Sequence, residues 1–336
     1  MTWRKFFLLS VQLLSLRTCI AGAAIHDPKT RIAEMLMRVS TKLETIYMLQ
    51  EEVMAELDEI RSLRESSEDN DNIHRTNDEV GCVGSVYSLD RASSFVSANE
   101  TVAMNNGHVV RLDDILYGYD YVFEQKHLFS AGSWLGVQSQ QDPWDLVAIQ
   151  QILWDVKPKV IYDIGTNVGG SAILFAHIMS QYAKPGEALI VSVDPKDYTI
   201  NWDAQAQRLC PRCTPVADNP LWGQYVRFVK ARAVERPALA ALQEAIATFG
   251  GPVLISVDGW HRYAEVLKQC QVLNQYVTIG SYIIVQDTKL DRFLRKAGPR
   301  RAVYDFLKNN ADFEIDKSRE AFLYSQHSDG YLRRIR

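Results

Sequence analysis

Apolar residues follow two different spacings along this chain. In residues 28–64 they recur in sevens. Ile32, Val39, Ile46, Val53 and Ile60 form one series; Leu36, Leu43, Gln50, Leu57 and Arg64 follow four positions after each member. That period predicts one long helix with an apolar seam, as in a coiled coil. Leucine at a with β-branched residues at d favours three or four strands, so a homo-oligomer joined through residues 30–64 is expected. A single helix packed on its own domain is the alternative. Residues 65–80 then become polar and acidic (ESSEDNDNIHRTNDE from Glu65) and lack the apolar residues to form a core, which predicts a disordered linker.

Across residues 81–336 the apolar positions come in short runs. Val160–Ile164, Ala188–Val193, Tyr225–Val229, Val253–Val257 and Tyr282–Val285 have strand length. Helical stretches follow or separate them: Leu146–Val156 (ending before Pro158), Ser171–Met179, Pro237–Phe249, Tyr263–Leu273 and Arg301–Asn309. Near-continuous apolar strands are buried on both faces, and their alternation with helices predicts an α/β domain. The expected architecture is a Rossmann-like, largely parallel sheet covered by helices on both faces. Phe313–Ile315 and Ala321–Tyr324 are expected as closing antiparallel strands, with turns at Ser133–Gly136 and Asp142–Asp145.

The domain is organised around KVIYDIGTNVGGSAILFAHIM, Lys159–Met179: strand, glycine turn, apolar helix. Such a unit holds a nucleotide over the strand's carboxyl end. The spacing is D-x-G-x-x-x-G-G rather than G-x-G-x-x-G. Asp163 would face the pyrophosphate of a dinucleotide, whereas S-adenosylmethionine (SAM) has no phosphate and carries an ammonium and a sulfonium. Asp163 with Gly165, Gly169 and Gly170 therefore points to SAM rather than NAD; a plain strand-to-helix turn without a ligand is the alternative. Asp194, closing the second strand, is placed to accept from ribose hydroxyls.

The later strand ends carry a second group. Asp258, Gln286 and Asp287 offer two carboxylates and a carbonyl oxygen, a donor set for Mg²⁺ that would polarise a substrate hydroxyl. His261 follows at the same mouth as a candidate general base, with Lys289 as a second candidate. Read blandly, these acids only cap the loops that follow.

Composition changes this picture little. The 336 residues are 47% hydrophobic with a net charge of -4, so nothing in the overall charge points to nucleic acid. The N-terminus does add something. Arg4 and Lys5 precede an apolar run from Phe6 to Leu16, and Ala21-Gly-Ala23 offers small residues for cleavage. Residues 1–24 are read as a signal peptide or an uncleaved signal-anchor, which predicts the secretory pathway and, if uncleaved, association with a membrane. The sequon at Asn99-Glu-Thr101 agrees with that route. A local Cys210–Cys213 disulfide is expected in such a compartment, and Cys82 is a candidate partner for Cys270; the lone C-x-x-C lacks a second pair for a zinc site.

Several segments in order resemble the cephalosporin hydroxylase family, which includes cephamycin-pathway and rhamnosyl O-methyltransferases. They are Trp134-Leu-Gly136 with Pro143-x-Asp145, IYDIGTNVGGSAILFA from Ile161, VDGWH from Val257, GSYIIVQDT from Gly280, GPRRAVYDFL from Gly298 and FEIDKSREAFLYSQHSDGYLRR from Phe313. The resemblance covers Tyr117 to Arg336. It implies a class I SAM-dependent methyltransferase fold, with Gly165, Thr166, Gly169, Gly170 and Asp194 at SAM and Asp258, Gln286 and Asp287 at a divalent metal. The family usually shows Glu-Asp where this chain has Gln286-Asp287. The implied activity is O-methylation of a small molecule, sugar or glycolipid in lipid or secondary-metabolite biosynthesis. Its rivals are a SAM-binding oligomeric scaffold that has lost catalysis, which Gln286 motivates, and an NAD-dependent oxidoreductase, which Asp163 disfavours. Iron hydroxylation is disfavoured because His327-Ser-Asp329 has no later histidine to complete an iron site.

Overall fold

The computed structural model describes residues 100–199, 208–294 and 296–336. The expected signal, coiled coil and linker, and with them Cys82 and Asn99, lie outside the described residues. Among the described residues no helix is long and apolar enough to cross a membrane.

The short apolar runs become a seven-stranded sheet. Its strands are β1 (Val160–Ile164), β2 (Leu189–Val193), β3 (Val226–Val229), β4 (Val253–Val257), β5 (Tyr282–Val285), β6 (Phe313–Ile315) and β7 (Tyr331–Arg334), in the spatial order β6-β7-β5-β4-β1-β2-β3. β1 to β5 run parallel, and β7 is antiparallel to both β5 and β6. Because β1 is central, all five of its residues are buried. Val160, Tyr162 and Ile164 face one core cluster, with Ala238 and Leu242 of α5 (Arg236–Phe249), Val266 and Cys270 of α6 (Tyr263–Leu273) and Val303 of α8 (Pro299–Lys308). Ile161 faces the other, with Ile149 of α2 (Pro143–Val156) and Leu174 and Phe175 of α3 (Gly170–Met179). Both faces are therefore covered, as the doubly apolar strands require.

Other elements include α1 (Leu112–Gln125) before α2, α4 (Pro220–Tyr225) ahead of β3, α7 (Leu290–Leu294) after β5, and a two-stranded hairpin of Ser133–Trp134 with Val137–Gln138. The second expected turn is instead a helix start. Asp142 caps α2 by accepting from the Trp144 N–H at 2.8 Å, so the helix begins at Pro143 rather than Leu146.

One expected strand is not there. Ala321–Tyr324 forms a turn, with Leu323 at φ 66°, and the closing strand is Tyr331–Arg334. The aromatic residues of that turn are used elsewhere: Phe322 packs on Trp144, ring centroids 5.5 Å apart, and the Tyr324 hydroxyl donates to Asp120. Cys210 and Cys213 are bridged as expected, and Cys270 is a free, buried thiol.

Candidate functional site

The glycine turn after β1 is held by close backbone packing. Gly165 has φ 94°, and its N–H donates to the Val193 carbonyl at 2.9 Å. A Cβ on Gly165 would lie 2.0 Å from the Asp258 carbonyl oxygen, so only glycine lets the turn meet the β4 loop. Gly170 opens α3 so close to the hairpin that a Cβ would come within 2.2 Å of the Gln138 carbonyl. Asp194, partly exposed at the end of β2, accepts from the Asn167 N–H at 3.0 Å and the Lys196 N–H at 2.8 Å. Its carboxylate thus stands across the turn's mouth, where ribose hydroxyls were expected.

Two residues expected at the cofactor are instead buried beneath the turn. Asp163 pairs across the sheet with Ser192 on β2 and Ser256 on β4 and is 0% exposed. Ser192 Oγ donates to its carboxylate at 2.7 Å, and Ser171 Oγ at 3.1 Å. With the Ser192 hydrogen so used, the Thr166 hydroxyl donates to Ser192 Oγ at 2.7 Å. Asp163 and Thr166 therefore brace the turn and do not present side chains to a ligand. Burial outweighs the two serine hydroxyls and pushes the Asp163 carboxyl up to about 6.

At the ends of β4 and β5 the structure brings together Asp258, His261 and Asp287, whose ligand atoms all lie within 4.8 Å of one another. His261 Nε2 is 3.4 Å from Asp287 Oδ2 and 4.0 Å from Asp258 Oδ1. Desolvation and the adjacent Asp287 charge raise the Asp258 carboxyl well above the usual carboxylate range. Burial works the same way on Asp287, but the nearby Lys289 ammonium leads the opposing charges and this carboxyl is held low. Desolvation also lowers the His261 imidazole, against the pull of Asp287.

Two expectations are corrected here. Gln286 does not offer a free carbonyl oxygen beside the carboxylates: its Oε1 accepts from Gln141 at 2.6 Å and its Nε2 donates to Ser256 Oγ at 2.9 Å, in a site only 1% exposed. Lys289 is not placed as a base. Its ammonium donates to Glu124 of α1 and to Gln326, lies 3.9 Å from Asp287 Oδ1, and is 3% exposed. Paired in this way it is a counter-charge with no lone pair to offer.

The sequence reading missed Glu124, Gln141 and His327. Gln141 lay between two segments read as turns and was given no role, and His327 was considered only as an iron ligand. The one available signal was the adjacency of Gln140-Gln141 to the Asp142 helix cap.

Residues 126–335 match the family model described as rhamnosyl O-methyltransferase/CmcI. The chain belongs to this family. A rhamnosyl O-methyltransferase of Mycobacterium leprae (strain TN) is 24% identical over 228 residues, which span 66% of this chain and 90% of that protein. One from Mycobacterium bovis (strain BCG) is 25% identical over 179 residues, 51% of this chain and 66% of that protein. An apo structure of CmcI aligns with a TM-score of 0.43 at 19% identity, covering 61% of this chain and 76% of that one. As a member of the rhamnosyl O-methyltransferase/CmcI family, the chain is a SAM-dependent methyltransferase.

Proposed function

We propose that this family member transfers the SAM methyl group to a hydroxyl oxygen of a small molecule, sugar or glycolipid. The observation that carries the reading is the juxtaposition of the glycine turn and Asp194 with an imidazole between two carboxylates at the next strand ends. The acceptor oxygen attacks the methyl carbon as the carbon–sulfur bond breaks, giving the methyl ether and uncharged S-adenosylhomocysteine. Holding the two reactants in line supplies roughly 7–11 kcal/mol of the barrier. The hydroxyl proton goes to His261. Its Nε2 faces Asp287 and Asp258 and so carries a hydrogen, which leaves Nδ1 as the acceptor. Asp287 orients the ring and stabilises the imidazolium.

Mg²⁺ was expected at Asp258, Gln286 and Asp287. The residues present do not fit that set, because the Gln286 oxygen is turned to Gln141 and its nitrogen to Ser256. No step above uses a metal.

The reading extends to a place in the secretory pathway, supported by the N-terminal pattern and the Cys210–Cys213 bridge, and to assembly through residues 30–64, supported by the heptads. Calorimetric titration with SAM tests the central claim. Wild type should bind, and Asp194→Ala should weaken binding by about 1–3 kcal/mol, the usual loss for a charged hydrogen-bond partner. Absence of SAM binding in wild type would remove the methyltransferase reading and return the chain to the scaffold hypothesis.

A further inference from the structure

The acceptor side of the cleft holds a chain of hydrogen bonds whose direction is set at one end. The backbone N–H of Asp287 donates to His327 Nδ1 at 2.9 Å. A backbone N–H can only donate, so Nδ1 holds the lone pair and Nε2 the ring's hydrogen. His327 Nε2 meets Gln141 Oε1 at 3.3 Å, which turns the Gln141 nitrogen the other way. That nitrogen donates to Gln286 Oε1 at 2.6 Å and lies 3.2 Å from Asp258 Oδ2. Gln286 has its own nitrogen left over and gives it to Ser256 Oγ at 2.9 Å. His327, Gln141 and Gln286 are 2%, 8% and 1% exposed, so water does not compete for these bonds.

The Gln141 nitrogen therefore contacts two of the three positions expected to hold the divalent cation. The Lys289 ammonium stands 3.9 Å from Asp287, the third. An amide N–H thus meets two of these oxygens and an ammonium stands near the third, so the chain supplies its own positive partners there. We propose that Gln141, oriented by His327, takes the place of the divalent cation, and that SAM binding and methyl transfer proceed without one. The glutamine at 286 is what allows it. A second carboxylate facing the Gln141 nitrogen would add a negative charge that a neutral amide cannot balance, whereas a hard dication would. Gln141 and His327 are positioning residues on this account: they act through Asp258, Gln286 and Asp287 and do not touch the reacting atoms.

The inference rests on the methyltransferase reading, and the test keeps the two apart. Full-length wild type is titrated with SAM in EDTA and again in Mg²⁺, and separately with Mg²⁺ and with Mn²⁺, the latter also followed by electron paramagnetic resonance. The proposal expects equal SAM affinity in both buffers and no Mn²⁺ signal change in wild type. It also expects a gain of about tenfold or more in Mg²⁺ affinity in Gln286→Glu combined with Gln141→Ala. SAM binding that requires the cation overturns the proposal and leaves the methyltransferase reading intact; no SAM binding in either buffer overturns that reading itself. Mn²⁺ binding by wild type also overturns the proposal, and its loss in His261→Ala would place the ion among Asp258, His261 and Asp287. The wild-type arms need no variant, so a misfolded double variant does not protect the idea.

Discussion

The two halves of the cleft are built from different materials. The cofactor half, at β1 and β2, is mostly main chain: a turn that only glycine can make, with Asp194 accepting from two backbone N–H groups. The acceptor half, at β4 and β5, is mostly side chain, with the Asp287 N–H as its main-chain member. It draws Glu124 from α1, Gln141 from ahead of α2, His261 from after β4 and His327 from before β7. A main-chain site is specified by a few consecutive residues, whereas a side-chain site depends on elements far apart in the chain.

That contrast can be broken by substitutions meant to affect one half only. The largest effect is expected from His261→Ala, which should lower kcat by roughly 10²- to 10⁴-fold, the usual range for a general base. SAM affinity measured by calorimetry should not change; if it falls in parallel, the halves are not separable. Gly165→Ala comes next. It strains a turn at φ 94° and drives a methyl group into the Asp258 carbonyl, so about 3 kcal/mol or more of stability should be lost in denaturant titration, together with SAM binding. This is the one position expected to damage both halves, because the two loops touch there.

Asp163 sharpens the comparison through pH. Its folded-state value of about 6 lies above the ordinary 3.8. The folded protein thus holds the proton more tightly than the unfolded chain between those values. The associated stability is fully present below pH 4 and is lost as pH rises through 6. Asp163→Asn should remove a decline of about 2–3 kcal/mol across that window. Stability curves of wild type and variant that run parallel from pH 4 to 7 would refute this. The smallest effect is expected from Ser171→Ala, which removes one of the two serine hydroxyls on Asp163 and should cost about 1 kcal/mol in thermal or chemical melts.

The same contrast explains what could be read from the sequence. Strands β1, β4 and β5 and helix α6 were legible to the residue, because continuous apolar runs bounded by turn residues leave little choice of ends. The turn at Gly165 and Gly170 and the place of Asp194 at a strand end were legible because they belong to one strand–turn–helix unit and its neighbour. Asp163 and Thr166 were assigned to the right loop but to the wrong surface, since sequence does not show that β2 supplies Ser192 to draw them inward. Gln286 could be seen as a departure from the family. That its oxygen turns to Gln141, 145 positions earlier, could not be seen, because no local pattern pairs two glutamines that far apart. Ala321–Tyr324 was misread for a related reason: its apolar residues pack on Trp144 and Asp120 rather than on a neighbouring strand.

Strand β7 lies between β5 and β6, although both precede it in the chain. A nascent chain carrying β1 to β6 has a sheet that stops at β5, because β6 is held only through β7. It also lacks the His327 ring that accepts the Asp287 N–H, because His327 stands just ahead of β7. Adding β7 to the edge of β5 brings Gly330 against the Val285 carbonyl, so closely that any side chain there would collide with it. Sheet closure and assembly of the acceptor half are thus one event. A C-terminally clipped molecule would keep every residue of its glycine turn and lose the ring that orients Gln141.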